Sequence, residues 1–189
     1  MKIKNILIVL LSIVTVSVSA QKLSGNISPL KNQKEVNVVL DFTGTLAEGR
    51  SEETYIEIKT NGKTEEEKAQ FLSEWNEQLR NDAYNLLVEK MENVVNPKLF
   101  SVGNYPNSEY TIYVKVADLN PGAFLTINSW VKADVSFVKT GETTPFATVN
   151  YKRVLGMRSS YVATWVPRAA MAFGYLGDNI GKVISKNLK

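Results

Sequence analysis

YTIYVKVADLNPGAFLTINSWVKADVSFVKTGETTPFATVNYKRV, residues 110–154, alternates apolar and polar side chains in three runs, broken at Asn120-Pro121-Gly122 and Thr140-Gly141-Glu142. A period of two marks strands, here over 110–118, about 126–139 and 146–154. A shorter run at 98–103 precedes them across Tyr105-Pro106-Asn107. Connections this short allow hairpins and exclude the long crossovers of parallel strands, so the four runs are expected to form an antiparallel meander. Ile112, Val114, Val116, Val131, Ala133, Val135, Phe137, Ala147, Val149 and Tyr151 then share one face. The other face carries Thr111, Tyr113, Lys115, Trp130, Lys132, Asp134, Ser136, Thr148, Asn150 and Lys152. Aromatics beside lysines on an open sheet stack sugars, bases or a partner's side chains, which makes Tyr113, Lys115, Trp130 and Lys132 a candidate interaction surface. As cross-strand pairs they would only stiffen the sheet.

Upstream, Thr64 and Glu67 form a capping box, and Leu72, Trp75, Leu79, Ala83, Leu86 and Val94 recur at helical steps, so one long helix is expected over 64–95, stopped by Asn96-Pro97. Downstream, Pro167 suits the first turn of a closing helix that runs through Phe173, Leu176, Ile180 and Val183 to about 186. Ala170, Gly174, Gly177 and Gly181 make a small-residue stripe on it. Glycine costs about 0.5–1 kcal/mol inside a helix, so the stripe implies close packing within the domain or against a partner. Val36, Val38, Leu40 and Phe42 mark a first strand, and Ser51 followed by acids, with Asn61-Gly62 at the end, favours a short helix over 51–62. The expected fold is two-layer α+β: a mostly antiparallel sheet of about five strands, with the long helix and the C-terminal helix on one face. Residues 21–35 read as a flexible leader and 36–189 as a single domain.

The first 20 residues have a basic start at Lys2 and Lys4, an apolar run over 6–18 and Val18-Ser19-Ala20 at the end, the pattern of a secretory signal peptide. The apolar run is too short for the about 20 residues a spanning helix needs, so no transmembrane anchor is expected after cleavage. The expected destination is the periplasm or the exterior. Its removal leaves 169 residues with 20 basic and 19 acidic groups, a balance that offers no bulk attraction to nucleic acid. Residues 21–98 hold 10 basic and 14 acidic groups, and residues 99–189 hold 10 and 5, so the halves differ in sign. With no His and no Cys, the chain cannot build a Ser-His-Asp triad, a cysteine nucleophile, a disulfide framework or a zinc site of the usual ligands. No cofactor is expected.

Two resemblances add to this reading. Asp41-Phe42-Thr43-Gly44-Thr45-Leu46 after an apolar strand resembles the nucleophile motif of the haloacid-dehalogenase-like phosphotransferases and P-type pumps, and Gly177-Asp178-Asn179 resembles their last acidic motif. That likeness implies a Mg²⁺-dependent phosphatase with Asp41 as nucleophile, although Lys182 stands where another acid would be needed. Val38-Val39-Leu40-Asp41-Phe42, the long helix, the strands and the closing helix together resemble the periplasmic α/β modules of the curli-secretion-channel and penicillin-binding-protein-activator type. This second likeness implies a non-catalytic module that binds a protein or glycan partner in the bacterial envelope, with room for self-association. A small-ligand binder using the open sheet face is the remaining alternative.

Overall fold

The computed structural model describes residues 22–96, 98–156 and 164–188, so the segment read as a signal peptide lies outside the described residues. The strands are β1 (Ser24–Gly25), β2 (Glu35–Asp41), β3 (Leu46–Ala47), β4 (Arg50–Ser51), β5 (Ser101–Gly103), β6 (Tyr110–Asn120), β7 (Trp130–Lys139) and β8 (Ala147–Leu155). The helices are α1 (Glu52–Thr60), α2 (Glu65–Ser73), α3 (Leu79–Val95) and α4 (Trp165–Asn187). The α+β class holds. All ten side chains expected on the inner face of the sheet are buried, from Ile112 to Tyr151, and Phe173, Leu176, Ile180 and Ile184 of α4 cover them together with Leu79, Leu87 and Met91 of α3. Full burial of each valine, leucine, isoleucine, methionine or phenylalanine among them contributes about 1.5–3 kcal/mol.

The sheet itself departs from the expected five-stranded meander. It has eight strands in the order β1-β8-β7-β6-β2-β5, with the β3–β4 hairpin against β6. β6, β7 and β8 pair antiparallel, but β2 pairs parallel with both β6 and β5. The short link between β5 and β6 is therefore no hairpin. Gly103 and Thr111 lie on opposite sides of the same β2 residue, Asn37, so β6 starts at the level where β5 stops and six residues suffice to cross β2. Asn37 fastens the crossing. Its N–H donates to Ser108 Oγ (3.0 Å), its Oδ1 accepts from the Tyr105 N–H (3.0 Å), and its Nδ2 donates to Thr111 Oγ1 (3.3 Å). A buried asparagine in a strand is costly unless its amide is paired, and here the pairing fixes the topology.

Residues 22–34 are packed rather than loose: β1 adds an edge to β8, and Ile27 and Leu30 are buried. Ser51 caps α1, accepting from the Thr54 N–H, in agreement with the helical reading of that segment. The capping box at Thr64 is present, with Glu67 returning to the Thr64 N–H at 2.8 Å. The long helix is interrupted by one π-turn over Glu74–Gln78, where the Leu79 N–H donates to the Glu74 carbonyl. An extra residue in a turn rotates the helix face. Upstream of the turn it is Phe71 that packs inward while Leu72 is exposed, and downstream the buried line is Leu79, Ala83, Leu87, Met91 and Val95, not Leu86 and Val94. Among the described residues no helix is long and apolar enough to cross a membrane.

Candidate functional site

The π-turn has a local cause and a local consequence. Trp75 within it donates its indole N–H to Glu52 Oε1 (2.5 Å), and Arg80 reaches the same oxygen (2.6 Å). Glu74, one residue earlier, accepts the indole N–H of Trp165 from the first turn of α4 (2.7 Å). The turn thus aims two successive side chains at partners in two different elements. Around them Phe71 stacks on Trp165 with centroids 5.4 Å apart, Trp75 stacks on Trp165 at 5.8 Å, and Tyr55 leans on Trp75 at 4.9 Å. Trp75 and Tyr55 are buried; Phe71 and Trp165 are half-exposed and open into a groove of about 450 Å³. Lys59, Lys63, Glu67, Gln70, Glu74, Pro121 and Gly122 complete its walls. Burial pushes the Tyr55 hydroxyl well above its ordinary value, with the Glu48 carboxylate adding to the effect and Arg168 opposing it, so Tyr55 is a neutral wall. The groove offers apolar ring faces rimmed by one amide, two carboxylates and two ammonium groups.

The small-residue stripe of α4 faces α3. Ala170, Gly174, Gly177 and Gly181 are buried, and the glycines meet α3 of the same chain: Leu86 and Lys90 lie opposite Gly174, Leu87 opposite Gly177, and Met91 and Val94 opposite Gly181.

The open sheet face does not assemble one platform. Tyr113 lies opposite Ser136, while Trp130 lies opposite Asn120, seven residues further along β6 and so about 20 Å away. Tyr113 donates its hydroxyl to Asp41 Oδ2, Lys115 pairs across from Asp41 and from Asp134, and Lys132 is ion-paired with the buried Asp118 (2.9 Å). Trp130 carries Lys132 at 5.0 Å and Arg153 at 5.3 Å over its ring, a cation–π pair.

Asp41 ends β2 and lines a separate cleft of about 480 Å³ with Thr43, Gly44, Glu52, Arg80, Asn81 and Tyr84. Asp178 lines another hollow, with Lys90, Met171, Gly174 and Tyr175, and is ion-paired with Lys182. Among the described residues no three His, Cys, Asp or Glu side chains converge on a point that could hold a metal. Asp41 and Asp178 line different hollows, and Asp41 is engaged by hydrogen bonds at the turn after β2. Partial burial pushes its carboxyl pKa up, but hydrogen bonds from Tyr113 and Thr43, and the Lys115 charge, outweigh it and leave the group below its ordinary 3.8. A carboxyl with a folded pKa below the unfolded one stabilises the fold above about pH 4 and loses that contribution as pH falls through the folded value. Tyr113→Phe is accordingly expected to raise the Asp41 pKa, read by carbon-detected NMR titration, and to shift acid unfolding to higher pH. An unmoved Asp41 titration would show that the hydroxyl contributes nothing.

Sequence reasoning singled out Asp41, Tyr113 and Trp130 but missed the aromatic groove, whose residues come from α1, α2, α4 and the loop after β6. One signal was present: Phe71 sits one position off the apolar stripe drawn through Leu72.

No protein-family model and no curated protein matches the chain. Among solved structures it is similar to a PelC dodecamer from Paraburkholderia phytofirmans, with a TM-score of 0.43, 8% identity, and coverage of 84% of this chain and 96% of that one. A variant of that dodecamer in a second crystal form gives a TM-score of 0.38 and 9% identity over 82% and 95% of the two chains. At this distance the function has to be argued from the groove itself.

Proposed function

We propose that the protein is a non-catalytic binding module of the bacterial envelope that takes a glycan in the groove between α1, α2 and the start of α4. The observation that carries this reading is the half-exposed pair Phe71 and Trp165, stacked on each other and on Trp75, with Gln70, Glu67, Glu74, Lys59 and Lys63 around them. A sugar ring has apolar C–H faces and a hydroxyl rim. An aromatic wall with fixed polar groups at its edge satisfies both at once. The indole of Trp165 is held in orientation by Glu74, so little side-chain freedom is lost on binding. The signal-peptide pattern supports an envelope location, where polysaccharide is abundant.

Isothermal titration of the mature protein with neutral, acidic and amino-sugar oligosaccharides tests the reading. Trp165→Ala is expected to weaken the binding that wild type shows by at least about tenfold, as loss of a buried aromatic anchor does, while Trp165→Phe keeps part of it. Wild-type binding that survives Trp165→Ala and Phe71→Ala undiminished would remove the groove from consideration, and absence of binding to all three classes would remove the glycan.

A further inference from the structure

Four large hydrophobic side chains are exposed at one end of the sheet: Phe124 (47%), Leu125 (66%), Ile127 (49%) and Leu155 (51%). The first three sit on a tight turn in which Ala123 and Ile127 bridge and the Ile127 N–H returns to the Ala123 carbonyl (3.1 Å). Leu125 at its tip has φ 65°, a left-handed conformation that a leucine adopts only at a cost. A leucine therefore occupies the tip at a position where asparagine or glycine would form the same turn without strain.

Directly behind this tip the sheet is cationic. Between Val131/Ala133 on β7 and Val154/Tyr151 on β8 the register shifts, so Lys152 and Arg153 together oppose Lys132 and both are exposed. A bulge of this kind turns two successive side chains toward one face. Arg153 lines a shallow hollow with Ile127, Asn128 and Leu155, and shares the Trp130 ring with Lys132. The order from the tip inward is apolar, then indole, then ammonium and guanidinium.

We propose that this wedge inserts into the interface of an anionic lipid bilayer, with Phe124 and Leu125 among the acyl chains, Trp130 at the headgroup level, and Arg153 and Lys152 on the lipid phosphates. Such layering is what an interfacial element needs: apolar area to bury, an amphipathic ring at the boundary, and cations for an anionic surface. The exposed apolar tip and its cationic collar match in charge and polarity the layers of an anionic lipid surface. The wedge lies outside the groove lining, so the two readings stand or fall separately.

Co-sedimentation of the mature protein with phosphatidylcholine vesicles, with and without phosphatidylglycerol, tests the proposal. Wild type is expected to pellet with the anionic vesicles and to stay in solution with the neutral ones, more so at low salt. The double variant Phe124→Ser with Leu125→Asn, which keeps the left-handed turn, should lower the partition constant more than tenfold, and Arg153→Gln about fivefold. Unchanged circular dichroism confirms that both variants fold. Equal pelleting of the double variant and wild type, or no pelleting of wild type, overturns the proposal. If wild type ignores vesicles but self-associates in sedimentation velocity, and the double variant is monomeric, the tip is a contact between copies of the chain and the lipid reading is wrong.

Discussion

Gly177→Ala is expected to lower the stability of the fold by about 3 kcal/mol or more, the upper end of what overpacking a helix contact costs. A methyl group at Gly177 would enter the van der Waals shell of the Leu87 carbonyl oxygen and stand 2.9 Å from the Leu87 carbonyl carbon and 3.1 Å from its Cα. All of these are backbone atoms within α3, so no side chain can swing aside, and α4 would have to lift off the core. Better helix propensity returns only about 0.5–1 kcal/mol. The neighbouring glycines make the control. At Gly181 the new methyl would meet Val94 Cβ at 2.9 Å and the Met91 carbonyl oxygen at 3.2 Å, a smaller conflict that a shift of α3 by a few tenths of an ångström would relieve. At Gly174 the nearest atoms are Lys90 Cγ at 3.5 Å and Leu86 Cβ at 3.7 Å, which is ordinary contact, so Gly174→Ala should be neutral or stabilising. Urea midpoints should therefore rank Gly174→Ala at or above wild type, then Gly181→Ala, then Gly177→Ala lowest. With a slope of about 2 kcal/mol per molar urea, the last falls by about 1.5 M. Equal midpoints for all three would mean that the helix pair is not packed backbone to backbone at Gly177.

That ranking shows what a sequence carries and what it leaves out. The spacing of Ala170, Gly174, Gly177 and Gly181 identifies a face, because helical periodicity is local. Which glycine is indispensable depends on where Leu87 falls across the helix crossing, and that is a property of two segments about 90 residues apart in the chain. The strands behave alike. Alternation assigned every inner side chain from Ile112 to Tyr151 correctly because burial on one face imposes a period of two. Partnership was misread at β5, where the short link to β6 has the length of a hairpin and is instead a step across β2. Only the pairing of Asn37 with Tyr105, Ser108 and Thr111 distinguishes the two, and none of these is a sequence neighbour of Asn37.

The candidate site was less legible for the same reason. Tyr113 and Trp130 stand on the open face as alternation requires, yet each is occupied in place, one by Asp41 and the other by Lys132 and Arg153. The groove draws Tyr55, Phe71 and Trp165 from three segments, and the π-turn that brings Trp75 and Glu74 into position leaves no mark in a helical pattern. Phosphate chemistry at Asp41 was suggested by six contiguous residues. That carboxylate and Asp178 line different hollows, and the string forms a turn in which the Thr43 N–H donates to Asp41 Oδ1 (2.8 Å) and the Thr45 hydroxyl donates to the Val116 carbonyl (2.9 Å).

Replacement of Arg168 is the second large effect expected, because one buried guanidinium braces the loop that borders both proposed binding features. Arg168 is 4% exposed. Its Nε donates to the Pro121 carbonyl (3.0 Å) and its Nη2 to the Gly122 carbonyl (3.2 Å), while its own carbonyl accepts from the Ser129 hydroxyl (2.6 Å). Burial draws the guanidinium below its ordinary pKa and Tyr55 draws it back, but an arginine remains charged throughout the accessible pH range. Hydrogen bonds from a charged donor contribute about 1.5–3 kcal/mol each, and carbonyls left buried without a donor cost more than the bond itself. Arg168→Met, which preserves most of the side-chain volume, should thus destabilise by about 3 kcal/mol. Arg168→Lys should recover only part, since an ammonium cannot reproduce the two-pronged geometry. The loss should also be uneven: amide hydrogen exchange over 122–129 should accelerate more than in α3, because the guanidinium ties that loop to α4. Pro121 and Gly122 line the groove, and Phe124 and Leu125 lie just beyond them. Arg168→Met should in consequence weaken oligosaccharide and vesicle binding together, whereas Trp165→Ala affects the first alone and Phe124→Ser with Leu125→Asn the second alone. A midpoint within the error of wild type for Arg168→Met would show that the loop is held by other contacts and that the two surfaces have no common support.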